Sequence, residues 1–174
     1  MQILETNRLK LIPFSLDLKQ AAIYDKSKFA GMVGVRVPEH WPGPDLAEAL
    51  PFFVEHMKKD PAGSVWDGII IYKEDEVIIG DMGYMGEPTE EGTVEIGYSI
   101  IPEYRNQGYA TEMARRLIAW AFQEQRVKRI IAECLNDNIG SIKVLAKVGM
   151  HRLEPEDNML KWELRKEEWE FWRK

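Results

Sequence analysis

Three apolar runs, at 65–73, 77–85 and 93–101, follow one another with only three and seven residues between them. A crossover to a parallel neighbour needs about a dozen residues, so this spacing predicts neighbouring antiparallel strands. The separators, Glu74-Asp75-Glu76 and Glu87 to Gly92, carry turn chemistry. Upstream, residues 8–14 alternate as a strand, and Pro13 suggests its edge or its end. Ser15 reads as the N-cap of a helix through about residue 27. The segment 29–44, with Gly31, Gly34, Pro38, Pro42, Gly43 and Pro44, reads as a long loop of the kind that lines binding sites. Asp45 is positioned to cap a second helix through about Lys59.

Downstream, Ala110, Met113, Ala114, Leu117, Ile118, Ala121 and Phe122 share one face of a helix over 108–125. A strand at 129–135 and a helix at 138–148, stopped by Gly149, come next. Strands at 150–154 and 158–164 and a helical tail at 165–173 complete the reading. Strands followed by strand–helix–strand give an α+β, or mixed α/β, single domain over 1–174. Trp169, Phe171 and Trp172 either dock the tail on that domain or form a dimer contact, so monomer and homodimer both stay open.

Composition narrows the class. Of the 174 residues, 45% are apolar, which excludes intrinsic disorder. One cysteine and three scattered histidines offer no metal-ligand cluster, so no metal is expected. No apolar run approaches the ~20 residues that span a bilayer, and no leader pattern is visible, so a cytoplasmic protein without membrane contact is expected. The net charge of −6 argues against nucleic acid as a partner, and the bases at 105–129 lack interleaved aromatics. Charge is nevertheless uneven. Residues 74–95 hold eight acids and no Lys or Arg, whereas 105–129 hold six bases against two acids. These are either two solvated faces or one region that meets a cation and another that meets an anion.

The most informative stretch runs from Thr93 to Gly149. A strand ends at Pro102, the loop Arg105-Asn106-Gln107-Gly108-Tyr109-Ala110 follows, and an amphipathic helix begins there. The first turn of a helix offers amides without intrahelical partners at the positive end of its dipole, a natural phosphate site. Gly108 and Ala110 let an anion approach the backbone, and Arg105 adds charge at the rim. Neither a Walker loop nor a Gly-x-Gly-x-x-Gly dinucleotide loop is present.

Residues 105–110 match the Arg/Gln-x-x-Gly-x-Gly/Ala loop of the GNAT-type N-acetyltransferases, which the chain resembles. Asn138-x-x-Ser141-Ile142, Lys147-Val148-Gly149-Met150 and the opening Leu4-Glu5-Thr6-x-Arg8-Leu9-x-Leu11 resemble the branch that includes ribosomal-protein N-terminal acetyltransferases. Met150 stands where that branch has Phe. The resemblance implies a mostly antiparallel twisted sheet of about six or seven strands, splayed between 93–101 and 129–135, with helices on both faces. It implies acetyl-CoA as co-substrate, its pantetheine arm in the splay near Ser99 and Ile100. The pyrophosphate would lie on the turn of Arg105, Gln107, Gly108, Tyr109, Ala110 and Thr111. Asn138 and Ser141 would contact the arm.

The implied reaction is direct attack of an amine on the thioester, so Cys134 is read as a small buried hydrophobe rather than a nucleophile. Glu95 is the candidate base. From Glu95 to Pro102 is seven residues, roughly 23 Å of strand, comparable with the phosphate-to-sulfur reach of the arm. The alternative is that Glu95 binds or steers the amine without taking its proton. Many family members carry a Tyr after the Asn block, close to the sulfur; Lys143-Val144-Leu145-Ala146 has none. Tyr98, Ser141 or water could take that place, and Tyr98 also reads as a packed strand aromatic. Glu112 suits the first helical turn, where an acid complements the dipole. His40 and Trp41 either line the acceptor pocket or cover the core edge. The acidic segment fits a cationic acceptor: a protein N-terminus, a polyamine or a small amine. The alternative function is an acyl-CoA-binding sensor or interaction module of the same fold without catalysis.

Overall fold

The computed structural model describes residues 1–60, 64–154 and 157–172. The chain forms β1 (Leu4–Glu5), β2 (Leu9–Pro13), α1 (Leu16–Tyr24), α2 (Lys26–Val33) and α3 (Pro44–Lys59), then β3 (Asp67–Tyr72), β4 (Val77–Tyr84) and β5 (Thr93–Ile100). A short 3-10 turn, Pro102–Tyr104, leads into α4 (Tyr109–Ala121), β6 (Arg129–Leu135), α5 (Ile139–Lys147), β7 (His151–Arg152), β8 (Met159–Arg165) and α6 (Lys166–Trp172). The strands make one eight-stranded sheet in the order β1-β2-β3-β4-β5-β6-β8-β7. All pairs are antiparallel except β5 with β6, which α4 connects as a parallel crossover.

The expected six or seven strands are thus eight among the described residues. The extra one is the two-residue β1, too short to leave a period-two signature. The expected helix through residue 27 and the following loop also need correction. Ser15 does cap α1, accepting from the Leu18 amide at 3.3 Å. But Asp25 breaks the helix and caps α2, accepting from the Lys28 amide at 2.9 Å, and α2 ends at the left-handed Gly34. Residues 29–33, expected in a loop, are therefore helical. The second predicted helix starts two residues earlier than expected, with Gly43 rather than Asp45 as its cap and Asp45 in the first turn. The tail's Trp172 side chain and Arg173 lie outside the described residues.

Period-two alternation divides the sheet between two cores. Ile70, Val77, Ile79, Met82, Val94 and Ile96 face Met113, Leu117 and Ile118 of α4. Ile69, Ile71 and Ile78 face Ala21, Phe29 and Leu50 of α1, α2 and α3. The helices therefore cover both faces, with Cys134 in the α4-side core at 6% exposure. Trp169 extends that core by packing on Phe122 at 5.3 Å between centroids. The register of β3 against β4 shifts between Ile70 and Ile71, which skips Ile79. At that irregularity β4 presses on β5 so closely that a Cβ at Gly80 would collide with the Ser99 carbonyl.

Candidate active site

The parallel ladder between β5 and β6 is short: Thr93 pairs with Arg129, Val94 with Ile130 and Glu95 with Ile131. Both strands continue, to Ile100 and Leu135, without further pairing. They part there because β5 follows β4 on one side and β6 follows β8 on the other. The orientation of the exposed backbone follows from parity. The Met85 amide donates to the Glu95 carbonyl and the Ile101 amide to the Ile79 carbonyl, so odd residues of β5 face β4. The backbone groups of Ile96, Tyr98 and Ile100 therefore face the gap. Ser99, expected to serve the gap beside Ile100, has the wrong parity. Its backbone faces β4 and its hydroxyl donates to Asp81 Oδ2 at 2.7 Å.

The glycine loop lies at the open end of this gap. Arg105 folds back, donating from Nε to the Ile100 carbonyl at 2.8 Å. Asn106 and Gly108 adopt positive φ, +61° and +84°, and Gly108 caps α4. The first α-helical bond runs from the Glu112 amide to the Gly108 carbonyl at 3.0 Å, so the amides of Tyr109, Ala110 and Thr111 have no intrahelical acceptor. Gln107 donates to the Glu103 carbonyl at 3.3 Å and accepts from the Tyr109 hydroxyl at 3.4 Å. Tyr109 is buried and packs against Tyr72 and Tyr104, which braces the loop on the β3–β4 turn. An open cavity of ≈ 560 Å³ lies at this helix start, lined by Arg8, Gly108, Thr111, Glu112, Arg115 and Lys147. Arg8, Arg115 and Lys147 against the single acid Glu112 leave a net positive charge that, with a row of free amides, suits a polyanion. Arg8, Arg115 and Lys147 were missed in the sequence because they come from three distant segments.

On the other bank of the gap, Asn138 caps α5 with its side-chain oxygen on the Ser141 amide at 3.1 Å, which leaves its amide hydrogens unused by the cap. Tyr98 reaches toward the same turn, its hydroxyl 3.4 Å from the Ser141 carbonyl. Burial pushes the Tyr98 phenol up to about 12.

Glu95, Gly97 and Ser99 face the opposite side of β5 from Tyr98 by the same parity. Glu95 is partly buried, and desolvation together with the Glu133 charge raises its carboxyl above the usual range. Asp81 of β4 pairs with Ser99 in register and Asp67 of β3 pairs with Gly83, so three strands present acids on this face. Burial pushes Asp81 up to about 6 against the pull of Ser99, with Asp67 and Asp45 adding to the rise. Asp67 is countered by Lys19, whose ammonium lies 2.7 Å from Oδ2 and is 1% exposed. Asp81 went unnoticed in the sequence, where it is one acid among eight. Of the two loop residues, Trp41 is 2% exposed and stacks on Phe29 at 5.1 Å, so it belongs to the core. Its indole N–H favours the charged form of Asp81 without making a full hydrogen bond. His40 is exposed and bonds Glu103, next to the glycine loop.

Comparison with known proteins accords with this architecture. Residues 8–151 match the family model described as an acetyltransferase (GNAT) domain. An uncharacterized N-acetyltransferase of Bacillus subtilis, YjdG, is 39% identical over 150 residues, which cover 86% of this chain and 89% of that protein. A ribosomal-protein-S5-alanine acetyltransferase from Vibrio fischeri superposes with a TM-score of 0.65 at 20% identity, covering 97% and 99% of the two chains. A ribosomal L7/L12 α-N-protein acetyltransferase, solved with coenzyme A, superposes with a TM-score of 0.64 at 13% identity, covering 94% and 98%. The family match over most of the chain, together with the YjdG relative, decides the assignment: the chain belongs to the GNAT family of N-acetyltransferases.

Proposed function

We propose that this acetyltransferase moves the acetyl group of acetyl-CoA to a primary amine by direct attack, the acceptor being a protein N-terminus or a small cationic molecule. One observation carries the reading: pairing between β5 and β6 stops at Glu95 and Ile131, which opens a gap that leads from a carboxylate to a helix N-terminus. The amide-rich pantetheine arm fits the backbone groups of Ile96, Tyr98 and Ile100. The pyrophosphate fits the turn from Arg105 to Thr111, and Asn138 and Ser141 flank the arm.

In the reaction the amine nitrogen bonds to the thioester carbon and the C–S bond breaks. Glu95, directly or through water, takes the proton of the incoming ammonium. Its raised pKa, from desolvation and the Glu133 charge, strengthens it as a base. The cleft-facing amides supply the donor on which charge develops at the thioester oxygen. A phenol held at about 12 does not surrender its proton to a thiolate near 8.5. Tyr98 therefore serves as a hydrogen-bond donor toward the sulfur, and water relays to the thiolate the second proton that the nitrogen gives up on becoming an amide. Asp67, Asp81 and Glu95 on one face favour a cationic acceptor. His40, bonded to Glu103 beside the glycine loop, lies toward the phosphate end of the gap and is not assigned to the amine, and Trp41 belongs to the core.

The test is CoA release from acetyl-CoA, read with a thiol reagent, across N-terminal peptides, polyamines and amino sugars. Release with one acceptor class supports the reading and names the substrate type. Tight calorimetric binding of acetyl-CoA with no release for any acceptor favours a binding module of the same fold.

A further inference from the structure

Glu112 points back from the first turn of α4 to the N-terminal segment, and both of its oxygens are engaged there. Oε1 accepts from the Thr6 hydroxyl at 2.6 Å and from the Arg8 amide at 3.1 Å. Oε2 accepts from Arg8 Nε at 2.7 Å and lies 2.6 Å from Nη2. The remaining guanidinium nitrogen, Nη1, donates to the Gln107 carbonyl at 3.2 Å, and the same guanidinium lies 4.4 Å over the Tyr109 ring. One side chain thus joins the acid, the ring and the peptide that immediately precedes Gly108. The partners are 99 and 104 residues apart in sequence, so the contact closes the β1–β2 turn against the glycine loop.

We infer that Arg8 is a positioning residue for acetyl-CoA, setting the direction of the Gly108 amide and neutralising Glu112 at the phosphate site. The inference rests on the acetyl-CoA reading above. The carbonyl of Gln107 and the amide of Gly108 belong to one planar trans peptide and point in opposite directions. Holding the carbonyl toward Arg8 directs the amide away from it. Glu112 sits in the same helical turn as the free amides, where an unpaired carboxylate would repel a phosphate. Its ion pair with Arg8 removes that charge, and the hydrogen bonds from Thr6 and Arg8 hold its carboxyl below the usual range despite desolvation. A lysine at position 8 could meet Glu112 but could not also reach the Gln107 carbonyl in the same geometry, because it has one nitrogen rather than a fork.

The experiment is isothermal calorimetry of acetyl-CoA with the unaltered protein, Arg8→Met, Arg8→Lys, Glu112→Gln and the double variant Arg8→Met/Glu112→Gln, alongside thermal melts and steady-state kinetics. The expected result is acetyl-CoA affinity on the order of tenfold weaker in Arg8→Met, the scale of one charge-assisted hydrogen bond. KM for acetyl-CoA rises with it, while KM for the amine stays put. Arg8→Lys recovers only part of the loss. The double variant binds better than Arg8→Met, because the orphaned carboxylate has gone. Should Arg8→Met not fold, Arg8→Lys and Glu112→Gln carry the same test. Unchanged acetyl-CoA affinity in a folded Arg8→Met or Arg8→Lys protein, or strict additivity in the double variant, overturns the clamp alone. Failure of the unaltered protein to bind acetyl-CoA overturns the reading of the loop, and the clamp with it.

Discussion

Glu95 and Ile131 are the last residues paired between β5 and β6, and Glu95 is also the carboxylate that shares a sheet face with Asp81 and Asp67. The residue that ends the ladder therefore stands at the mouth of the gap that the ladder's end creates. A base placed there meets an amine arriving from the acidic face and a thioester arriving along the gap.

Glu95→Gln should lower kcat by about 10²-fold, the usual scale for a positioned base, while acetyl-CoA affinity measured by calorimetry stays unchanged. The sign of the pH dependence follows from the raised carboxyl. The base works when deprotonated, so kcat/KM falls as pH drops through a pKa above the ordinary glutamate value. That limb should vanish in Glu95→Gln and move to lower pH in Glu133→Gln, which removes the charge that helps raise it. An unshifted limb in both variants would sink the assignment and leave Glu95 as a steering charge.

Gly108 holds φ at +84° at the start of α4. A side chain there costs roughly 1–2 kcal/mol in backbone strain, before any contact with Arg8 is counted. Gly108→Val should therefore lower stability in urea by about that much and, where the turn relaxes to relieve the strain, weaken acetyl-CoA binding on the order of tenfold. Retention of full affinity would show that the amide row does not depend on the left-handed turn.

Lys19 is 1% exposed and is satisfied by Asp67 and by the Phe14 carbonyl. Desolvation lowers its pKa and Asp67 pulls it back up. Lys19→Met keeps the length of the stem but leaves the Asp67 carboxylate uncompensated, and breaking one partner of a buried pair costs about 3–5 kcal/mol. The cost should shrink markedly in Lys19→Met/Asp67→Asn, measured by urea unfolding. Equal losses in the single and double variants would mean that packing of the lysine stem, not the pair, sets the stability.

The sequence was most legible where chemistry is local. The antiparallel run β3-β4-β5 follows from gap lengths, and α4 from its 3.6-residue apolar stripe. Ser15 follows from its capping chemistry. What escaped depends on distant partners or on weak local signals. Asp25 breaks α1 from α2 with no proline or glycine beside it, so the first helix reads on through about residue 27 and the rest of α2 reads as loop. The clamp from Arg8 to Glu112 spans 104 residues, and no single-sequence pattern pairs them. The turn of Ser99 away from the gap depends on strand parity, which is fixed only when β4 is placed beside β5.

Asp81 gives a stability prediction that also bears on function. Its carboxyl is pushed from an ordinary 3.8 up to about 6, chiefly by burial, with Ser99 opposing the rise. The folded chain therefore holds this proton more tightly than the unfolded chain does. Below the unfolded pKa both states are protonated and the group costs nothing. As pH rises toward and through the folded pKa, the folded state must either keep a proton that the unfolded state has lost or hold a charge in a poor environment. Stability falls across that window, by up to about 3 kcal/mol if the whole shift is realised, and by less because water still reaches part of the carboxyl. Asp81→Asn keeps an acceptor for the Ser99 hydroxyl and removes the charge. It should raise the urea midpoint at pH 7.5 and change it little at pH 4. If Asp81 belongs to the acidic face that draws a cationic acceptor, the same substitution should raise KM for the amine and leave acetyl-CoA affinity alone. A stability gain with an unchanged amine KM would confine Asp81 to the fold, and an equal effect at both pH values would show that its carboxyl is not shifted at all.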